Sequence, residues 1–145
     1  MHTQHGPYID ALRATGDEWN PADFGCQLTR RAAGLPLWFA LVLHGTDAFA
    51  TAIRRGIDLA RYAADAIRAR SGALSLVLEP ELSVVLFRRD GWGRVEWAAW
   101  AHRLLADGIA FVAPTTWRGD AVGRLVFMHP HTSTALIDEI VATLA

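Results

Sequence analysis

The sequence predicts an α+β lobe: a mostly antiparallel four-stranded sheet covered on one face by helices. Apolar residues recur at three and four after residue 46 and again after residue 94, the helical period. Over residues 74–89 and 109–128 the period falls to two, that of strands. The order helix, helix, strand, strand, helix, strand, strand, helix brings strands together in pairs beside helices.

Each element has its own signal. Leu35 to Leu43 is an apolar run that reads as a short buried helix, with Pro36 tolerated near its first turn. His44-Gly45 ends it, the glycine supplying the C-terminal stop. Thr46-Asp47 caps a second helix, whose stripe is Phe49, Ile53, Ile57, Ala60, Ala64 and Ile67. Arg54, Arg55, Arg61 and Arg68 take its other face, and Ser71-Gly72 stops it. Leu74, Leu76 and Leu78 then alternate with Ser75, Val77 and Glu79 until Pro80. SVVLFRR is a second strand, closed by the turn DGWG. Val95 to Ala106 is helical, with Trp97, Trp100, Ala101 and Leu104 inward. IAFVAPTTW is a third strand. Ala121 to Met128 is a fourth, after the turn Arg118-Gly119-Asp120. Pro130 breaks it, and Thr132 or Ser133 caps a last helix running through Leu144.

Composition bounds the function. The chain has 145 residues, 52% of them hydrophobic, and six tryptophans. That suffices for a packed core and excludes disorder. It is also rich for a chain of this length, so apolar surface should remain for a partner. Residues 1–28 are weakly patterned and read as an arm packing on that partner; residues 29–145 form the lobe. A net charge of -1 offers no field to attract nucleic acid or anionic lipid. No signal peptide is evident in MHTQHGPYID, and the longest apolar run falls short of the ~20 residues of a membrane span. The lone Cys26 fits a cytoplasmic setting and reads as structural rather than nucleophilic. All fourteen Lys+Arg residues are arginine. With no lysine, the chain cannot form a Schiff base through a lysine side chain.

Four motifs in order resemble the C-terminal part of the group II pyridoxal-phosphate (PLP)-dependent amino-acid decarboxylases. This family includes the glutamate, aromatic amino-acid and diaminobutyrate decarboxylases. Its Q-x-[GST]-R-R-x-x-x-L-K-L-W signature stands here as Gln27, Leu28, Thr29, Arg30, Arg31, then Leu35, Pro36, Leu37 and Trp38. HGTDAFATAIRRGIDLARYAADAI is similar to the family's glycine-ended helix and the long helix after it. SVVLFRR resembles its V-x-F-R strand. TTWRGDAVGRLVFMHPHTSTALIDEIV resembles its closing segment. The resemblance covers roughly residues 20–145. It implies the small C-terminal lobe of the fold-type I PLP-dependent enzymes. Pro36 stands where the family has lysine. Gly123 stands where leucine is usual, which should loosen that strand, and His129 where asparagine is frequent.

The resemblance also implies site residues. Arg124 would meet the substrate carboxylate, since a guanidinium fork binds it bidentately and keeps its charge. The alternative is an ion pair with Asp120, Asp138 or Glu139. Thr29 and Arg30 would lie at the cofactor phosphate or the subunit boundary, with Arg31 structural. The alternative is a plain helix cap with surface salt bridges. His129 and His131 form an H-x-H pair, but a metal site needs a third ligand and none is evident, so no metal is expected. His44 reads as a helix-end histidine, and Trp92, in DGWG, as the aromatic set to be exposed and so to meet a partner. The catalytic lysine is absent from this chain. The leading expectation is therefore the C-terminal subunit of a split, PLP-dependent amino-acid decarboxylase (a carboxy-lyase). A larger PLP-binding partner would hold the cofactor covalently on its lysine. The full assembly would be a dimer of heterodimers acting on a small amino acid in the cytoplasm, without nucleic acid or membrane. Two alternatives remain open. One is a non-catalytic, degenerate lobe that binds or regulates a full-length homologue; the other is a fragment that merely folds.

Overall fold

The computed structural model describes residues 32–70 and 72–144. The arm 1–28, with Cys26, and the residues Thr29, Arg30 and Arg31 lie outside them. The chain divides into two compact units, Met1–Leu43 and His44–Ala145. The elements are α1 (Gly34–Ala69), β1 (Leu74–Leu76), β2 (Val84–Arg89), α2 (Arg94–Ala106), β3 (Thr115–Trp117), β4 (Asp120–Val126) and α3 (Thr134–Ala142).

In the first unit, Gly34–Leu43 is helical, with the Leu35 N–H bonded to the Ala32 carbonyl. Pro36 falls in the first turn, where its missing N–H would have had no helical partner. The expected burial is not found. Leu37, Trp38, Phe39 and Val42 are exposed, and Leu43 is 78% exposed. The segment is apolar on all sides, so no single face can bury it within its own unit. Gly45 breaks the helical run with φ 73° and ψ 163°, a conformation that favours glycine. By length and composition α1 could pass for a membrane span. Its later turns, however, bury a face in the second unit's core.

That second unit confirms the α+β expectation. Its sheet runs β1-β2-β4-β3, with every neighbouring pair antiparallel. The α1 face that packs is Gly56, Leu59, Ala60, Ala63, Ala64 and Ile67. The expected stripe holds at Ala60, Ala64 and Ile67. Upstream it shifts: Ile53 is exposed, while Phe49 and Ile57 are half-buried. Close approach explains the shift. A Cβ on Gly56 would sit 2.8 Å from the Phe127 carbonyl oxygen, so a small residue lets the helix settle against the chain leaving β4. Arg68 reaches Asp65 at 2.6 Å and also pairs with Glu79.

The strands are shorter than their apolar patterns. Only Thr115–Trp117 of IAFVAPTTW pairs as β3. Pro114 has no N–H to donate, and Val112 and Ile109 turn into the core instead. The β3–β4 connection is a two-residue turn, Arg118 (φ 50°) and Gly119 (φ 93°), matching the twist of a hairpin. Ser133 caps α3, accepting from the Leu136 N–H at 3.2 Å. Glu96 closes the start of α2 by accepting from the Gly93 N–H at 2.8 Å.

An aromatic cluster fills the centre. Phe87 and Trp97 meet edge to face at 5.3 Å, Trp97 and Trp100 at 5.5 Å. The Trp100 Nε1–H donates to Thr143 Oγ1 at 2.8 Å. Trp92 belongs to this cluster, 4.9 Å from Trp97, under the Arg89 guanidinium at 4.4 Å. It is half-buried rather than the most exposed aromatic, because its indole completes the ring contacts that start at α2; Phe111, Phe39 and Trp38 are more exposed.

Gly123 does not loosen β4. A Cβ there would lie 2.5 Å from Phe87 Cζ and 2.7 Å from Trp97 Cη2 and Cζ3. The rings occupy the volume that a leucine side chain would need. Gly123→Ala should therefore destabilise the lobe by about 1–3 kcal/mol through overpacking. The readout is a lower urea midpoint at unchanged slope; an unchanged midpoint would show that the rings can yield.

Candidate functional site

The site is built on the two inner strands, β2 and β4. Alternation separates their side chains into two faces. Val85 and Phe87 of β2, with Gly123 and Leu125 of β4, point to the helices and the core. Val84, Leu86 and Arg88 stand on the other face, with Val122, Arg124 and Val126 beside them. The register fixes neighbours: Val84 opposite Val126, Leu86 opposite Arg124. Thr115 of β3 lies opposite Val122, on this same outer face.

Arg124 is half-buried there. The carboxylates that could have neutralised it are engaged elsewhere or remote. Asp120 accepts from Arg88 Nη2 at 3.0 Å. Asp138 accepts from the Tyr62 hydroxyl, at 3.0 and 2.9 Å. Glu139 is exposed on α3. Among the described residues none bonds Arg124, and its Nε is buried without a hydrogen-bond partner. Such an orphan costs about 1–3 kcal/mol. A guanidinium cannot relieve that cost by losing its proton. The arrangement is a cation set between aliphatic side chains, with donors that suit a carboxylate.

Other expected groups stand apart from it. Thr29 and Arg30 lie outside the described residues, and nothing structural joins them to Arg124. His129 and His131 have ring centroids 5.6 Å apart, and the His131 N–H donates to His129 Nδ1 at 3.3 Å. Among the described residues no group of three or more His, Cys, Asp or Glu could hold a metal ion. His44 is exposed. The sequence reading missed the wall around Arg124. Alternation along β4 already puts Val122 and Val126 beside the arginine, but only the β2–β4 register adds Leu86.

Two electrostatic shifts bear on the lobe. The Glu96 carboxyl is held below its usual range by the backbone N–H groups of Glu96 and Gly93. The Tyr62 hydroxyl is raised, first by its bond to Asp138, then by desolvation and the carboxylate's charge.

Comparison with known proteins agrees with the resemblance. No family model matches the chain. An L-2,4-diaminobutyrate decarboxylase of Acinetobacter baumannii is 40% identical over 62 residues, which are 43% of this chain and 12% of that protein. Among solved structures, Oryza sativa TDC with PLP and tryptamine aligns with a TM-score of 0.76 and 21% identity. That alignment covers 99% of this chain and 32% of the other. The glutamate decarboxylase domain of a Vibrio parahaemolyticus diaminobutyrate-pyruvate transaminase and L-2,4-diaminobutyrate decarboxylase gives 0.68 and 22%. It covers 85% of this chain and 27% of the other. The chain is thus similar to group II PLP-dependent decarboxylases and has their fold, over at most a third of the length of these relatives.

The Glu96 shift predicts a pH dependence. A depressed carboxyl stabilises the fold above its ordinary pKa, and that stability is lost as pH falls through the lower folded value. Urea midpoints of the Glu96→Gln variant should therefore fall less between pH 5 and pH 3 than those of the parent. Parallel curves would contradict the assignment.

Proposed function

We propose that this chain is the C-terminal subunit of a split PLP-dependent amino-acid decarboxylase, completing the active site of a larger, lysine-bearing partner. The observation that carries the proposal is Arg124, a half-buried cation on the sheet face away from the core, without a carboxylate partner among the described residues. The two kinds of likeness supply the reaction class.

The fit to PLP is partial. The chain has no lysine, so covalent attachment must come from outside its 145 residues. What it does have suits the substrate side. When bound, PLP supplies the electron sink for loss of the carboxyl group. Arg124 would grip the substrate carboxylate through parallel N–H donors and orient it. Leu86, Val122 and Val126 would keep water from that contact, which strengthens it. Thr29 and Arg30 would meet the cofactor phosphate or line the subunit boundary. The exposed apolar residues of Gly34–Leu43 would pack on the larger chain, and the unit would assemble as a dimer of heterodimers.

A scaffold lobe that only regulates a homologue would have no use for an unpaired arginine on this face. Reconstituted with its partner, Arg124→Ala should lower kcat/KM by about 10²-fold, the loss expected when one member of a desolvated charge pair is removed. Arg124→Lys should recover little, because a point charge lacks the fork. Unchanged turnover by Arg124→Ala would overturn the proposal in favour of a scaffold.

A further inference from the structure

The state of the guanidinium itself goes one step beyond the reading of Arg124 as a carboxylate clamp, and rests on it. A guanidinium can bind a carboxylate side-on, through Nε and one Nη, or end-on, through Nη1 and Nη2. In Arg124 these atoms differ. Nε is fully shielded and bonded to nothing, whereas Nη1 and Nη2 are not among the buried unpartnered atoms. Only the terminal pair is open to a ligand.

The residue placed to shield Nε is Leu86. It is the direct antiparallel partner of Arg124. Side chains of such partners rise from the same face with Cβ atoms about 4.5–5.5 Å apart. Leu86 is half-buried and branched, with a side chain long enough to cover a neighbouring arginine's stem. Val122, buried, and Val126, exposed, stand two residues either side of Arg124 on the same strand. The charged pair on this face, Arg88 and Asp120, is satisfied within itself at 3.0 Å.

We propose that Leu86 is a positioning residue for Arg124, shielding Nε so that Nη1 and Nη2 are the donors presented to the substrate carboxylate. It touches no reacting atom in this scheme. It sets which edge of the guanidinium is offered, and therefore the orientation of the carboxylate.

The test reads the guanidinium directly. In the full chain labelled with ¹⁵N-arginine, Nε–H exchange of Arg124 is followed by NMR in the parent, Leu86→Val and Leu86→Ala. Both truncations should speed exchange, Leu86→Ala by about tenfold or more, and Leu86→Met should restore protection because it refills the volume. In the reconstituted enzyme, Leu86→Ala should raise KM about tenfold with kcat changed less than about threefold, the pattern of a weakened binding contact. Exchange that ignores the truncations would overturn the proposal. So would faster exchange with an unchanged KM, which would leave the shielding real but unused. Full activity of Arg124→Ala would remove the clamp itself, a failure of the functional reading that the exchange data on the chain alone would tell apart.

Discussion

The rings of Phe87 and Trp97 lie against the backbone of β4 at Gly123, and the arrangement of the lobe depends on that contact. Phe87 projects inward from β2 and Trp97 from α2, so one glycine lets two elements close on a third. The contact fixes which face of β4 is inside. Gly123 and Leu125 must point to the rings, and Arg124 between them must point away. The position of the cation follows from where the aromatic volume is spent. Trp97 also buries its Nε1 without a partner, a cost of about 1–3 kcal/mol that close ring packing offsets.

On the outer face the logic reverses. Ion pairs elsewhere are closed, Arg88 with Asp120 and Arg68 with Asp65, and the Tyr62 hydroxyl is bonded to Asp138. Arg124 stands apart from that pattern. A charge without a partner among the described residues, set between aliphatic side chains, is poor design for an isolated lobe and sound design for one wall of a site. The same holds for Gly34–Leu43, whose exposed leucines and aromatics are costly to leave in water. Both features are what the proposed larger partner would cover.

Much of this was legible in the residues. Periods of two and three to four gave the order of elements correctly, and the glycine stop at Gly45 and the cap at Ser133 fell where their chemistry requires. What was not legible depended on contacts between distant segments. The departure from leucine at Gly123 looks like a loss until Trp97 and Phe87 are seen filling the space. The inward face of α1 was misjudged near Ile53 because tight packing at Gly56 rewards small residues over apolar ones. A turn usually faces out, yet the rings of Trp97 and Trp100 draw Trp92 in. Leu86 beside Arg124 is a property of strand register, which single-strand patterns do not encode.

If this lobe completes an active site whose lysine is on another chain, that chain should travel with it. The direct measurement is to reduce the native lysate with borohydride, capture this chain and identify by mass spectrometry what accompanies it. The account predicts a larger polypeptide carrying a pyridoxyl-modified lysine, in equal amount with this chain, whose decarboxylase turnover is lost when this chain is withdrawn. A captured chain with no such companion, or a companion fully active alone, would contradict it.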